Sequence, residues 1–115
     1  MQKLALILVL LISVVSGCKK GEKPLYPYEA KVVGVNIDCG EYEIQFISGL
    51  PEIKKLIGDS PIDGFYIAKN LPEEYKVPGL IIKLDCRKPT KTEFGFCTDL
   101  GPTLTWVTVT NVTIK

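Results

Sequence analysis

The 115-residue sequence contains no histidine, one tryptophan and one methionine, which is its first residue. Catalytic sites that pair serine or cysteine with histidine are therefore excluded, as are metal and haem sites that need an imidazole ligand. A strong charge of either sign is also missing, because 14 lysine and arginine residues face 13 aspartate and glutamate residues. This balance argues against a nucleic-acid partner, and the length fits a single domain.

Only one apolar run is long, and it lies at the beginning of the chain. The run from Leu4 to Val15 contains one polar side chain, Ser13, and follows the positively charged Lys3. As a helix it would span about 18 Å, well short of the roughly 30 Å core of a bilayer. A positive start, an apolar run of this size and small residues after it are typical of a secretory signal peptide.

The run Val15 to Cys18 (VSGC) resembles the lipobox of bacterial lipoproteins, in which the cysteine thiol receives a diacylglyceryl group and the leader is removed before it. The resemblance implies a signal peptide at residues 1–17 and a lipid-modified Cys18. It places the protein in a bacterial cell envelope and favours the outer membrane, since lysine rather than aspartate follows the cysteine. Either face of that membrane remains open. The alternative is an ordinary cleaved signal with a coincidental cysteine.

Residues 18–29 are polar, contain one glycine and two prolines, and show no apolar alternation. This composition predicts a flexible tether between the lipidated cysteine and a domain at residues 30–115. Residues 18–115 carry equal numbers of acidic and basic side chains. Attachment to the membrane would therefore depend on acyl chains rather than on a basic patch.

Five strand-like runs separated by turn residues follow. They lie at residues 31–38, 42–47, 64–71, 80–87 and 103–115. A short helical pattern at residues 51–58 follows the second run, and every later proline falls at the helix start or between strands, as strands require. Five strands and one short helix predict an all-β fold, a small five-stranded OB-like barrel, with a small β-sandwich as the alternative.

Two strands carry expectations about their faces. In the last run the apolar alternation slips between Trp106 and Val107 and again after Val109. A slip reverses the inward face, so we expect a bulge or bend at each of these points. The apolar side chains of the first run share one face: Val33, Val35 and Ile37.

Three later segments resemble a group of small secreted bacterial lipoproteins. They are residues 70–80 (NLPEEYKVPGL), 87–89 (RKP) and 97–103 (CTDLGPT). The resemblance extends loosely over residues 30–115, and its motifs are turn signals. It implies an envelope location and no particular activity.

Three thiols remain once Cys18 is lipidated, so at most one internal disulfide forms in an oxidising compartment. Cys86 continues the apolar face of its strand and is expected to be a small buried hydrophobe. Cys39 lies at a hairpin tip and Cys97 in a loop, which favours a Cys39–Cys97 bridge and leaves the pairings with Cys86 open. A zinc site or redox dithiol has little support, because the spacings are wide and no CxxC is present.

The loop at residues 91–98 carries two aromatic side chains, Phe94 and Phe96, among lysine and threonine residues. Exposed aromatics in a loop make a candidate binding site, whereas the same side chains folded back would cover the barrel. Three further aromatics would stack on bases or sugars if exposed, but core packing is the favoured interpretation: Tyr42, Tyr66 and Trp106.

The acidic pairs Glu41/Glu43 and Glu73/Glu74 contain the groups that glycan hydrolysis needs, but their positions are typical of solvated charge. We therefore expect a protein that is not an enzyme, has no cofactor or metal, and is a monomer. The leading hypothesis is a lipid-anchored envelope protein whose β-domain binds a protein or other envelope partner. The alternative is an inhibitor that inserts residues 91–98 into an envelope hydrolase, and a hydrolase with carboxylates alone is the third hypothesis.

Overall fold

The computed structural model describes residues 24–98 and 102–115. These residues form five strands, one α-helix and one 3-10 helix. Their bounds are β1 Tyr28–Val35, β2 Tyr42–Ser48, α1 Leu50–Leu56, β3 Phe65–Lys69, η1 (the 3-10 helix) Glu73–Tyr75, β4 Ile81–Arg87 and β5 Thr105–Ile114. In the described ranges no helix has the length and apolar character needed to cross a membrane.

The strands close into one barrel in the order β1, β2, β3, β5, β4. Every neighbouring pair is antiparallel except β3 and β5, which run parallel. A closed five-stranded sheet confirms the predicted small all-β, OB-like barrel rather than the sandwich. The α-helix lies between β2 and β3. An OB-fold usually has its helix after β3, and η1 occupies that position here.

The strand directions give the barrel two distinct ends. We call the end where β1 begins and β2 ends the tether end, because the N-terminal segment enters there. The loop end is the opposite one, where β1 is connected to β2 and β3 to β4. α1 closes the tether end by inserting the fully buried Ile53 into the core. The η1 segment closes the loop end, where Tyr75 packs on the same core and its hydroxyl donates to the Val112 carbonyl at 3.4 Å.

Tyr66 is fully buried in the core, which confirms that it packs there rather than forming a stacking surface. Its ring meets Phe46 edge-on with the ring centres 5.4 Å apart. The hydroxyl reaches the tether end and donates to the Gly58 carbonyl at 2.7 Å. A buried tyrosine needs such a partner for its polar end, so the α1–β3 connection is tied to the core through this bond.

The predicted apolar face of β1 is wrong. The strand starts at Tyr28, three residues earlier than expected, and its inward side chains are those of Tyr28, Ala30 and Val32. The register with β2 shifts between Val32 and Gly34, so a bulge falls at Val33. The three predicted side chains are all exposed, and the last lies beyond the strand: Val33, Val35 and Ile37.

One of the two predicted slips in β5 is confirmed. The register with β4 shifts between Asp85 and Cys86 and leaves Thr110 unpaired, which is the expected bulge after Val109. The predicted slip at Trp106 is wrong. Both faces of the strand are buried there, and its side chains continue to alternate between the two faces. β5 pairs with β3 through its first half and with β4 through its second half.

Replacing Ile53 with alanine should lower the free energy of unfolding by about 3 kcal/mol, because it leaves a cavity where α1 closes the barrel. Leu56 lies on the same helix and is half exposed, so Leu56→Ala should cost less than about 1 kcal/mol. Urea unfolding of both variants measures the difference. Equal losses would show that α1 does not depend on Ile53 for its attachment.

Candidate functional site

After β4 the chain crosses the outside of the barrel from the tether end to the loop end. We call residues 88–98 the strap. At its far end Cys97 forms a disulfide with Cys39, the pairing favoured from the sequence, in the connection between β1 and β2. The Thr98 N–H donates to the Asp38 carbonyl at 2.8 Å beside it. The bridge joins cysteines 58 positions apart, which stabilises the fold by about 4 kcal/mol in the chain-entropy account.

A second apolar cluster lies beneath the strap, on the outer faces of β3 and β5. It contains the fully buried Ile67 together with Trp106, Leu104 and Cys39. Trp106 is therefore a packed side chain and not an open stacking surface. The backbone of Gly95 in the strap packs directly against the Trp106 ring, since a Cβ at that position would be 2.5 Å from Trp106 Cη2. The outer faces of β3 and β5 are thus covered here by the strap.

Glu93 fixes the strap to the strands below. Arg87 at the end of β4 donates to both of its carboxylate oxygens, at 2.7 and 2.8 Å. The Thr90 N–H donates at 2.8 Å and the buried Thr108 hydroxyl at 3.1 Å. The hydrogen bonds from Arg87, Thr90 and Thr108 lower the pKa of Glu93 to about 2. The charged carboxylate therefore holds strap, β4 and β5 together at neutral pH.

The two phenylalanines of the strap have different environments. Phe94 is 52% exposed and turns the edge of its ring toward Trp106, with ring centres 6.5 Å apart. Phe96, one residue before the disulfide, is 87% exposed. Ile37, two residues before Cys39 in the other bridged loop, is 89% exposed. We call Ile37 and Phe96 the loop tip, because they are the most exposed large apolar side chains of the described residues.

Asn36 organises the loop that carries Ile37. Its side-chain carbonyl accepts the Cys39 N–H at 2.9 Å, and its amide donates to Glu43 at 2.7 Å. Its backbone N–H donates to the Glu41 carbonyl, and its carbonyl accepts the Gly40 N–H. These hydrogen bonds hold the backbone of Cys39 in place independently of the disulfide.

Neither Asn36 nor Glu93 was identified from the sequence. Asn36 falls inside the first predicted strand, although an asparagine three residues before a cysteine–glycine pair is a turn signal. Glu93 is the only acidic residue in a segment that also contains Arg87, Lys88 and Lys91. An isolated acid in such a segment indicates an ion pair, and that signal could have located it.

Three of the four acidic residues considered for hydrolysis form polar contacts within the domain. Glu41 pairs with Lys69 at 3.5 Å, and Glu73 pairs with Lys76 at 2.8 Å. Glu43 is the carboxylate that accepts the Asn36 amide. The contacts of Glu41 and Glu43 join the β1–β2 connection to strand residues, whereas that of Glu73 stays within the η1 segment.

Cys86 is buried in the barrel core, as its strand position predicts. Burial, with a smaller contribution from Asp85, raises the pKa of its thiol to about 12. The thiol therefore stays protonated and unreactive. Within residues 24–98 and 102–115, no three cysteine, aspartate or glutamate side chains are grouped so that they could hold a metal ion.

Cys18, the predicted signal peptide and the first part of the tether lie outside the described residues. Comparisons of the chain with protein-family models, with curated proteins and with solved structures found no match.

Replacing Glu93 with glutamine should remove a pH-dependent part of the stability. A carboxylate whose pKa is lowered by folding stabilises the fold above its ordinary pKa, and this contribution disappears as the pH falls toward the lowered value. The wild type should therefore have a higher Tm than Glu93→Gln at neutral pH, and the gap should close between about pH 5 and pH 2. Thermal scans across this range measure it, with the exposed Glu74→Gln as the control. A gap that does not change with pH would contradict the assignment.

Replacing Gly95 with alanine should lift the strap from the barrel, because the new methyl group and the Trp106 ring cannot occupy the same space. We expect a loss of about 1–3 kcal/mol and a red shift of Trp106 fluorescence as water reaches the ring. The exposed Lys91→Ala on the same strap should change neither quantity. An unshifted spectrum for Gly95→Ala would show that the strap does not rest on the ring.

Proposed function

We propose that the protein is a lipid-anchored protein of the bacterial cell envelope whose barrel binds a partner protein through the loop tip. The observation that carries this proposal is the exposure of Ile37 and Phe96 on two loops that a disulfide joins. Large apolar side chains are costly to leave in water, and exposed aromatic residues are common anchors at protein interfaces. The lipobox-like run at Cys18 supports the anchoring.

The fixation of the loop tip also supports a role in binding. Ile37 lies between the turn held by Asn36 and the bridge at Cys39. Phe96 lies between Gly95, which is packed on Trp106, and the bridge at Cys97. Both side chains are therefore presented by backbones with little freedom, which reduces the entropy lost on association.

The ends of the barrel fit this arrangement. The chain enters at Tyr28 on the tether end, whereas the bridged loops lie at the loop end. A domain attached through Cys18 would therefore present Ile37 and Phe96 on the side away from its anchor. Partners in the surrounding compartment would meet this surface first.

Inhibition of an envelope hydrolase is the second candidate function. It is favoured by the same fixation of Phe96, since a protruding side chain on a cross-linked loop can enter a cleft without reordering. Measuring hydrolase activity with and without the protein separates the two candidates. Inhibition that is lost in Phe96→Ala would favour the inhibitor.

Replacing Cys18 with alanine should abolish both palmitate labelling and recovery in the membrane fraction, because the acyl chains would have no attachment point. Cys86→Ala is the matched control, since it removes a cysteine that the structure buries in the core. Labelling and membrane recovery that persist in Cys18→Ala would overturn the lipid-anchored part of the proposal.

Phe96→Ala should weaken partner binding about thirtyfold, which corresponds to the roughly 2 kcal/mol typical of an interface anchor. A photoreactive amino acid at position 96, in cells with intact envelopes, should give a distinct protein adduct that Ile37→Ser diminishes. The same probe at the exposed Lys83 of β4 is the control. Adducts of equal yield from both positions, or none from position 96, would contradict binding through the loop tip.

A further inference from the structure

A second group of exposed apolar side chains lies at the tether end, opposite to the loop tip. Their exposed fractions range from 37% to 69%, and neither the core nor the strap covers them. We call them the tether-end patch: Leu25, Tyr26, Ile47, Leu56 and Ile62. They come from four separate parts of the chain, so their occurrence at one end is a product of the fold.

Two members of the patch are brought together by strand pairing. The Phe46 N–H donates to the Gly64 carbonyl at 2.9 Å, which places the end of the α1–β3 connection beside the end of β2. Ile47 directly follows Phe46, and Ile62 precedes Gly64 by two residues. Both side chains therefore belong to the same corner of the barrel.

The helix and the entering chain complete this end. Lys54 of α1 forms an ion pair with Asp63 at 2.6 Å, so the helix that carries Leu56 is held against the same connection. Tyr28 packs so closely on Gly49 that a side chain at Gly49 would overlap its ring. The chain therefore enters β1, shortly after Leu25 and Tyr26, beside the start of α1.

We infer that the tether-end patch lies on the lipid bilayer, an inference that rests on the proposed attachment through Cys18. Pro24, the first described residue, follows Cys18 by six positions, so even a fully extended chain would hold it within about 20 Å of the lipidated sulfur. The tether end therefore remains next to the membrane surface. Leucine, isoleucine and tyrosine are side chains that enter the headgroup and acyl boundary favourably.

The charges of this end indicate that the contact is apolar rather than electrostatic. Lys54 and Lys55 of α1 are accompanied by Glu52, Asp59 and Asp63 in the helix and the connection that follows it. Positive charge therefore does not dominate the patch itself, and the basic residues beside the anchor, Lys19, Lys20 and Lys23 against Glu22, belong to the tether and not to the patch. Binding of the patch should be nearly the same on neutral and on anionic bilayers.

A photoreactive amino acid at position 62 of the lipidated full-length protein tests this contact. The protein is reconstituted into phosphatidylethanolamine–phosphatidylcholine vesicles, with and without added phosphatidylglycerol, and adducts with lipid are measured. Because burial of a side chain of this size favours the buried state about tenfold, we expect about tenfold more adduct from position 62 than from position 37. The yield should change little with phosphatidylglycerol.

A longer tether separates true contact from mere proximity. Inserting a flexible Gly-Ser segment between Gly21 and Glu22 should leave the adduct at position 62, if the patch itself holds the bilayer. The combined variant Ile47→Ser and Leu56→Ser in the long-tether protein should then lose it. Both replaced side chains are exposed, so the fold should be retained, and a thermal scan verifies this.

Contact of the patch with the bilayer and lipid attachment at Cys18 can fail separately. Equal lipid adducts from positions 62 and 37 in vesicle-bound protein would overturn the inference and leave lipid anchoring intact. Loss of the adduct at position 62 on lengthening the tether alone would do the same. A protein that carries no acyl group on Cys18 and stays out of the vesicle fraction would overturn both.

Discussion

Burial of Ile67 and Trp106 on the outside of the barrel is the constraint on which the path of the chain depends. Outward-facing positions of a small barrel usually meet water, and two large apolar side chains there need a cover. The strap supplies it, but a loop that crosses a barrel has few backbone partners of its own. It is therefore held at three places: by Glu93 at its middle, by Gly95 on the tryptophan ring and by the bridge to Cys39.

The apolar core also needs a cover at each end of the barrel. Five short strands leave the core of the barrel open at both ends. Ile53 of α1 covers the core at one end, and Tyr75 of the η1 segment covers it at the other. With the helix between β2 and β3, the tether end acquires α1 and the connection that follows it. The loop end contains the η1 segment, turns and the disulfide. The two ends consequently differ in character, one built from a helix and strand termini and the other from cross-linked loops.

Strands could be predicted from the sequence where only one face of the strand is buried, because apolar and polar side chains then alternate. β4 alternates cleanly, the prolines delimit the strands, and Cys39 and Cys97 occupy loops, so the barrel and its bridge could be predicted. The prediction failed where a strand is buried on both faces, as at Trp106, or where a bulge changes the register, as at Val33. At Trp106 the deciding contact comes from the strap, and at Val33 it comes from the register with β2. Glu93 of the strap depends on a distant segment in this way, because its partner Thr108 lies on β5.

The position of Cys86 bears on how the oxidised protein is made. Cys39, Cys86 and Cys97 can form three pairings before the chain folds, and two of these pairings include Cys86. Disulfide exchange proceeds through the thiolate, and burial of Cys86 in the barrel core raises the pKa of its thiol to about 12. Closure of the sheet therefore withdraws the competing thiol from exchange. A chain that has assembled its strands therefore no longer forms incorrect disulfides through Cys86.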